Sequence, residues 1–184
     1  MDDIFVRAAE RAQAPRAQAP RADPRADPRK LPNRVRVGYV RRLCDGATVR
    51  AINMDGDGNC MFRALAHQLD GGTSTSSEEA HGAVRAAIAA YAEARGAALA
   101  VEFAPFLGGV WWHDVVATVR ESEVWDDEVM DIVVAPIAAR VFGRVVRIVQ
   151  RDVPAQEYAP QGDQTGAPIA VFRHEDHFWS VRTN

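Results

Sequence analysis

Residues 54–69 read MDGDGNCMFRALAHQL, a polar, glycine-spaced turn followed directly by an apolar helical pattern. The polar residues of the turn alternate with glycine: Asp55, Asp57 and Asn59. After Cys60, apolar residues recur at the spacing of one helix face: Met61, Leu65 and Leu69. The pattern predicts a helix that begins near Cys60. A hydrophobic core does not require such a turn, so the turn indicates either a cation site or a reactive thiol.

A calcium loop is the first explanation for the turn. Asp55, Asp57 and Asn59 match positions one, three and five of the calcium-binding loop. The next position of that loop requires a glycine, and this chain has Cys60 there. Its twelfth position requires a glutamate, and this chain has Ala66 inside an apolar helical segment. These two mismatches disfavour calcium.

A reactive thiol is the second explanation. Unpaired amides at a helix N-terminus favour an anion, so we expect them to lower the pKa of Cys60 and to face a developing oxyanion. Gly56 and Gly58 let the backbone approach a ligand closely. A buried structural cysteine is the commoner role of a single cysteine, but it does not account for the polar turn. The residues alone leave both roles open.

A cysteine nucleophile requires a general base, usually a histidine that a third polar group orients. Among the five histidines, His67 lies on the same predicted helix as Cys60 and cannot reach back to the thiol. His81 and His113 lie on predicted helices, where we expect surface or structural roles. His174 and His177 bracket HEDHFWSV, where one predicted strand ends and the next begins, and His177 opens the strand HFWSVR, which holds it at an edge.

Zinc is a further alternative at the same place. A zinc site would combine these side chains: His174, Asp176, His177 and Cys60. Their spacing fits no usual pattern of zinc ligands, so we expect no metal and no other cofactor.

The composition is that of one compact domain with a hydrophobic core, in a chain of 184 residues. A net charge of -3 gives no broad basic surface for nucleic acid. The two cysteines, Cys44 and Cys60, are too few for a disulfide scaffold. No apolar run is long enough to cross a bilayer, and the N-terminus lacks the apolar segment of a secretory signal. We expect a cytoplasmic monomer that binds neither nucleic acid nor membrane.

The chain divides into a tail and a folded domain. Residues 11–30 carry a proline at every fourth or fifth position, which excludes a continuous helix and buries little apolar surface. We predict a flexible Arg/Ala/Pro-rich tail over 1–33 and one domain over 34–184. Periodicity predicts helices from Cys60 to Gly71, over 78–95, within 101–124 and over 126–140. It predicts strands over 48–53, 145–150, 168–174 and 177–182, a short helix or strand over 35–43, and a polar loop over 152–167. This order is typical of the α/β (α+β) class, with late strands that return to the first strand.

Four segments follow one another in the order DGDGNCMFRAL, HGAVRAAIAAY, VWDDEVMDIVVAPIAARVF and HFWSV. The first resembles the D-G-N-C-[LM]-[FY]-R-A/S signature of the ovarian-tumour (OTU) family of cysteine proteases, which are deubiquitinases. The second and third are similar to that family's H-x-x-[LV]-R and W-G-G-x-x-E helices. The fourth resembles its closing H-[YF]-[ND]-x-[VI] block. The order and spacing agree across about residues 35–182.

The resemblance implies an OTU-type, papain-like cysteine protease fold, with a small central β-sheet flanked by helices. It implies that Cys60 is the nucleophile and His177 the general base, and that Asp57 shapes the oxyanion turn that Gly58 and Asn59 complete. The implied reaction hydrolyses the isopeptide bond after the C-terminal glycine of ubiquitin, or of a ubiquitin-like modifier, through an acyl-enzyme thioester. Ubiquitin or polyubiquitin is the implied partner. The small size indicates a viral or bacterial effector that acts in the host cytosol.

The chain departs from the family pattern at the residue that orients the histidine. The family usually has Asn or Asp two places after the histidine, whereas this chain has Trp179, which cannot accept a hydrogen bond from an imidazole. Asn53 and Asp55, upstream of the turn, are the candidate substitutes, and a Cys–His dyad is the alternative. Trp179 also leaves open a second function, that of a catalytically weak ubiquitin-binding module with the OTU fold.

Ubiquitin ends in Leu-Arg-Leu-Arg-Gly-Gly, so the implied cleft is narrow at the thiol and acidic further out. Gly56 and Gly58 suit the narrow part. The acids within 121–128 are available for the outer part, although each one alone is expected to be a solvated residue near a helix N-terminus. Three aromatic residues are expected in the core rather than against ubiquitin: Phe106, Trp111 and Trp112.

Overall fold

The computed structural model describes residues 39–42, 48–71, 78–151 and 153–182. The predicted tail over 1–33, the turn at Asp45–Gly46 and Cys44 lie outside these residues. The domain boundary near residue 34 therefore stays a prediction. In the part of the chain that is described, no helix is both long enough and apolar enough to cross a bilayer.

Six strands and five helices make up the described part of the chain. The strands are β1 Tyr39–Arg42, β2 Thr48–Asn53, β3 Val146–Val149, β4 Gln156–Tyr158, β5 Ile169–His174 and β6 His177–Arg182. The helices are α1 Cys60–Leu69, α2 Glu78–Ala94, α3 Gly96–Phe103, α4 Trp112–Arg120 and α5 Asp127–Phe142. The strands form a sheet in the order β1-β2-β6-β5-β3-β4, in which only the β3–β5 pair is parallel. This architecture confirms the predicted mixed class with a small central sheet.

Alternation along the central strands divides their side chains between two faces of the sheet. Val171 of β5 and Phe178 of β6 lie on the face that joins the helices in the main core. Phe172 and Val181 point the other way, into a smaller apolar cluster that includes Ala51 of β2. Both faces are therefore largely buried, which holds β5 and β6 rigidly.

Helix α1 begins at Cys60 and is fixed by its apolar face. Met61, Phe62 and Leu65 are fully buried, and burial of side chains of this size contributes about 1.5–3 kcal/mol each. The helix ends at Leu69, and Gly71 follows with φ 68°, a left-handed conformation that suits glycine after a helix. Because α1 is anchored along this face, its N-terminal residue Cys60 has a defined place.

The antiparallel pairing of β2 with β6 confirms that a late strand returns to the early one. In this register, Asn53 at the end of β2 lies opposite Trp179. His177 is two residues earlier on β6, so its side chain and that of Trp179 project from the same face. The pairing therefore brings the end of β2, the following turn and the start of β6 to one end of the sheet.

Two features differ from the sequence-based predictions. The predicted polar loop at 152–167 contains β4, whose three residues pair with β3 and place Glu157 opposite Arg147. Their ion pair, with an N···O distance of 2.6 Å, supplies cross-strand contact that an apolar pattern does not reveal. The segment 35–43 contains a strand, β1, which is one of the two alternatives predicted for it. The expectation that Trp111 is a core residue is wrong, because its side chain is 72% exposed.

Candidate active site

Cys60 lies at the junction between the polar turn and helix α1. It is the first residue of the helix, Asn59 is the residue before the helix, and Cys60 is only 4% exposed. The first amides of a helix have no partners inside it, and among them the amides of Cys60 and Met61 interact with the thiol. The structure therefore places a cysteine sulfur at a helix N-terminus, as the sequence predicted.

Asp57 fixes the shape of the turn through two kinds of donor. Its Oδ1 accepts a hydrogen bond from the backbone N–H of Asn59 at 3.0 Å. Its Oδ2 accepts one from the guanidinium of Arg63, one turn into α1, at 2.6 Å. Burial raises the pKa of Asp57, but the bonds from Arg63 and Asn59 outweigh it and hold the pKa below its usual value. The carboxylate is therefore charged at neutral pH and locks the turn onto the first turn of α1.

Gly58 allows a second segment of the chain to pack directly on the turn. Its φ of +79° is left-handed, and a Cβ there would lie 2.5 Å from the carbonyl carbon of Glu123. Glu123 itself has φ 62°, and its N–H points at Oδ1 of Asn59 at 3.4 Å. The turn and the α4–α5 connection are thus in close backbone contact, which only glycine at position 58 permits.

The imidazole of His177 is oriented by Asn53. Nε2 of His177 and Oδ1 of Asn53 are 2.9 Å apart, so the ring N–H donates to the amide oxygen. The other side of the ring lies beside Gly56, where a Cβ would come within 3.6 Å of Nδ1. Of the two candidates proposed from the sequence, Asn53 makes this hydrogen bond. The charge of the other, Asp55, is close enough to raise the pKa of His177.

Burial lowers the pKa of His177, although the backbone of Met54 and the charges of Asp55 and Asp57 act in the opposite direction. The imidazole is therefore neutral at neutral pH, the state in which it can accept a proton. Neutral imidazole with its N–H directed at Asn53 leaves Nδ1 as the basic nitrogen.

The expected lowering of the Cys60 pKa is wrong for this conformation. Burial raises the pKa of the thiol, and the negative charge of Asp57 adds to this effect. The amides of Phe178, Met61 and Cys60 lower it, but they do not outweigh burial. The sequence predicts the helix amides but not the depth of burial. The sulfur also lies against the amide of Phe178, the residue after His177, so both candidate residues meet the start of β6.

Trp179 occupies the place of the family's orienting residue but packs differently. Its ring meets that of His177 edge to face, with centroids 5.6 Å apart and an interplanar angle of 82°. The indole covers one side of the imidazole, while Asn53, directly across the strand pair, supplies the hydrogen bond. The site thus has an orienting amide despite Trp179.

Three of the other histidines lie on helices, and His174 lies opposite His177 in the β5–β6 register. His67 is buried and its Nδ1 is 2.7 Å from Oγ of Ser180, which ties α1 to β6. His81 is buried on α2, whereas His113 and His174 are exposed. Among the described residues, no group of three or more His, Cys, Asp or Glu side chains is arranged to hold a metal ion.

Two of the three polar side chains that a calcium ion would need are already bonded within the protein. The carboxylate of Asp57 is bonded to Asn59 and Arg63. Oδ1 of Asn59 accepts a hydrogen bond from Arg85 at 2.9 Å. Two guanidinium groups at this turn oppose the binding of a cation.

A sequence model of OTU-like cysteine proteases matches residues 55–177, from the start of the turn to His177. The chain belongs to the OTU-like cysteine protease family. This match confirms the resemblance that the four sequence segments indicated. Curated protein sequences give no match to this chain.

Solved OTU structures share the fold. The viral OTU domain protease from Dera Ghazi Khan virus has a TM-score of 0.55 and 16% identity, covering 80% of this chain and 96% of that chain. The Hazara virus OTU, solved bound to ubiquitin, has a TM-score of 0.54 and 19% identity, covering 79% and 86%. The OTU domain of OTUD1 has a TM-score of 0.53 and 15% identity, covering 73% and 86%. At these identities the likeness concerns the fold alone.

One buried residue of this OTU-like protease was not singled out from the sequence. Arg85 on α2 is only 3% exposed and contacts both the turn and the α4–α5 connection. The sequence signal was present in HGAVRAAIAAY, where an arginine interrupts an otherwise apolar helix. An arginine on a predicted apolar helix face is a usable sign of a buried cation with specific partners.

Proposed function

We propose that this OTU-like protease is a deubiquitinase, a thiol hydrolase that cleaves (iso)peptide bonds after the C-terminal glycine of ubiquitin or a ubiquitin-like modifier. One observation carries the proposal: Asn53 holds the imidazole of His177, at 2.9 Å, beside the glycine turn that leads into Cys60. Membership of a cysteine protease family supports the chemistry. The Hazara virus OTU bound to ubiquitin supports ubiquitin as the substrate.

In the first step, Nδ1 of His177 takes the proton of the Cys60 thiol as the sulfur attacks the carbonyl carbon of the scissile bond. Burial keeps the thiol and the imidazole uncharged before attack. The proton therefore moves during attack, and Asn53 stabilises the imidazolium that forms. The imidazolium then protonates the leaving amine, which leaves a thioester on Cys60. His177 next removes a proton from water, whose oxygen attacks the thioester carbonyl. The carbon–sulfur bond then breaks, the imidazolium returns the proton to the departing sulfur, and the C-terminal acid of the substrate is released.

The polar turn is the element that we assign to the oxyanion. The first amides of α1 have no partners inside the helix. The turn before them is fixed by the hydrogen bond from the Asn59 N–H to Asp57. In this assignment Asp57 acts by holding the turn rather than by touching the substrate. Preorganised donors of this kind stabilise the charge that develops on the carbonyl oxygen.

The surroundings of the turn fit a ubiquitin tail. Gly56 lies against the His177 ring and carries no side chain there. We assign it to the narrow part of the cleft, where the Gly-Gly end of the tail would lie. Exposed acids, Glu121 and Glu123, stand on the segment that packs on Gly58. We propose that these acids bind the arginines of the ubiquitin tail. This role replaces the purely solvated role that was expected for each acid alone.

The second candidate function is a ubiquitin-binding module with little catalysis, which Trp179 motivates. It predicts binding of ubiquitin without cleavage of any linkage. The bond between Asn53 and His177 favours the hydrolase, because it supplies the orienting group that position 179 lacks.

The experiment is a panel of di-ubiquitins of different linkage, incubated with the wild-type protein, Cys60→Ala and Cys44→Ala. We expect cleavage by the wild type and by Cys44→Ala, and none by Cys60→Ala. Binding without cleavage by the folded wild type would leave the ubiquitin-binding module as the better account. Since the nucleophile must remain a thiol, we place the activity in a reducing compartment such as the cytosol, of the host if the protein is a pathogen's effector.

A further inference from the structure

Arg85 is a buried cation whose donors are directed at two separate segments of the chain. Nη1 donates to the carbonyls of Val119 at 2.9 Å and Glu121 at 2.6 Å. Nη2 donates to the carbonyl of Gly58 at 3.1 Å, to Oδ1 of Asn59 at 2.9 Å and to the carbonyl of Val124 at 3.3 Å. One guanidinium therefore joins the oxyanion turn to the α4–α5 connection.

The guanidinium of Arg85 also stacks on an aromatic ring. Its central carbon lies 3.9 Å from the centroid of the Phe62 ring, on the first turn of α1. Burial lowers the pKa of Arg85 to about 10, against the opposing effect of the charges of Asp57 and Cys60. The group is therefore still a cation at neutral pH, close to the thiol and the turn.

Asn59 depends on Arg85 for its orientation. Its side chain is fully buried, and Oδ1 accepts from Arg85 and from the N–H of Glu123. Its Nδ2 has no hydrogen-bond partner in the described part of the chain. Among the atoms of this side chain, the amide oxygen therefore makes the hydrogen bonds that orient it, immediately before Cys60.

We propose that Arg85 is a positioning residue for hydrolysis, which acts through Gly58 and Asn59 on the oxyanion turn and couples that turn to the 119–124 segment. The inference rests on the proposed deubiquitinase function. The role depends on the planar geometry of the guanidinium as well as on its positive charge. A planar fork spans the two segments at once, whereas the single nitrogen of a lysine does not.

The test compares Arg85→Lys with the wild type in two reactions of Cys60. Hydrolysis of a fluorogenic amide of ubiquitin requires an oxyanion, whereas alkylation of the thiol by iodoacetamide does not. We expect kcat to fall by about tenfold to a hundredfold and KM to stay within about twofold. The alkylation rate should stay within about twofold, because the positive charge is retained.

Arg140→Lys is the matched control. Arg140 also lies over a phenylalanine, Phe103, with 5.9 Å to the ring centroid, and it donates to Glu102 rather than to the turn. This variant should keep the wild-type kcat and KM.

A wild-type kcat in folded Arg85→Lys would overturn the role of Arg85 alone. Equal losses in kcat and in alkylation, in step with a lower melting temperature, would show a merely structural role. If Arg85→Lys does not fold, Asn59→Ala removes the acceptor and keeps the cation, and it should reproduce the loss of kcat; full kcat in that variant would overturn the proposal. A folded wild type inactive on every ubiquitin substrate would instead refute the deubiquitinase function, and the role of Arg85 with it.

Discussion

Replacing Gly58 by alanine tests the packing of the turn before Cys60 most sharply. The added Cβ would lie 2.5 Å from the carbonyl carbon of Glu123, 2.6 Å from its oxygen and 2.8 Å from the nitrogen of Val124. These are backbone atoms, so no side chain can rotate away from the clash. The left-handed φ of +79° adds strain for any residue with a Cβ.

The backbone strain and the steric clash together set the expected loss of stability. A left-handed conformation costs about 1–2 kcal/mol for an ordinary residue, and overpacking costs about 1–3 kcal/mol. We therefore expect Gly58→Ala to lower the free energy of unfolding by about 2–5 kcal/mol. For a domain of this size, that corresponds to a fall in Tm of about 4–20 °C.

Gly56→Ala is the matched control two residues earlier in the same turn. Its Cβ would meet only the His177 ring, at 3.6 Å from Nδ1, an ordinary contact. Thermal unfolding followed by circular dichroism, together with urea titration, should place this variant within about 1 kcal/mol of the wild type. Equal stability of the two alanine variants would refute the described contact between Gly58 and the α4–α5 connection.

Three further predictions follow from the site and its support. Asn53→Ala should lower kcat/KM on a ubiquitin amide by about ten- to a hundredfold, the equivalent of a hydrogen bond to a charged group, whereas Asp55→Ala should have a much smaller effect; equal effects would contradict the assignment of Asn53. The rate of Cys60 alkylation should rise with increasing pH, and the midpoint of that rise should lie above the ordinary cysteine pKa of about 8.5, because a raised thiol pKa means less thiolate at neutral pH. A rate already constant below pH 7 would instead show a preformed thiolate. Ser180→Ala should destabilise the fold by about 1–3 kcal/mol in urea titration, because it leaves buried His67 without its 2.7 Å hydroxyl contact; wild-type stability would show that this contact contributes nothing.

Elements with a regular spacing of apolar residues could be predicted from the sequence. An element that is held only by pairing with a neighbouring strand could not. Helix α1 and strands β5 and β6 follow from the spacing of their buried residues. Strand β4 does not, because Gln156–Tyr158 has no apolar run and is held by its pairing with β3.

The residues of the site were predictable as types, but their contacts were not. Asn53 and Asp55 were equal candidates to orient His177, because the sequence of neither strand determines the register between β2 and β6. The register places Asn53 against the ring. Likewise the amides around Cys60 were foreseen, while the burial that raises its pKa depends on how α1 packs against β6.

The central claim is that Cys60 is a nucleophile activated by His177 and directed at the C-terminus of ubiquitin. The most direct measurement is labelling by ubiquitin that carries a C-terminal alkyne electrophile, with the modified residue identified by mass spectrometry. The account predicts a single adduct on Cys60, absent in Cys60→Ala and strongly slowed in His177→Ala. An adduct on Cys44, or no adduct on a folded protein whose Cys60 still reacts with iodoacetamide, would contradict it.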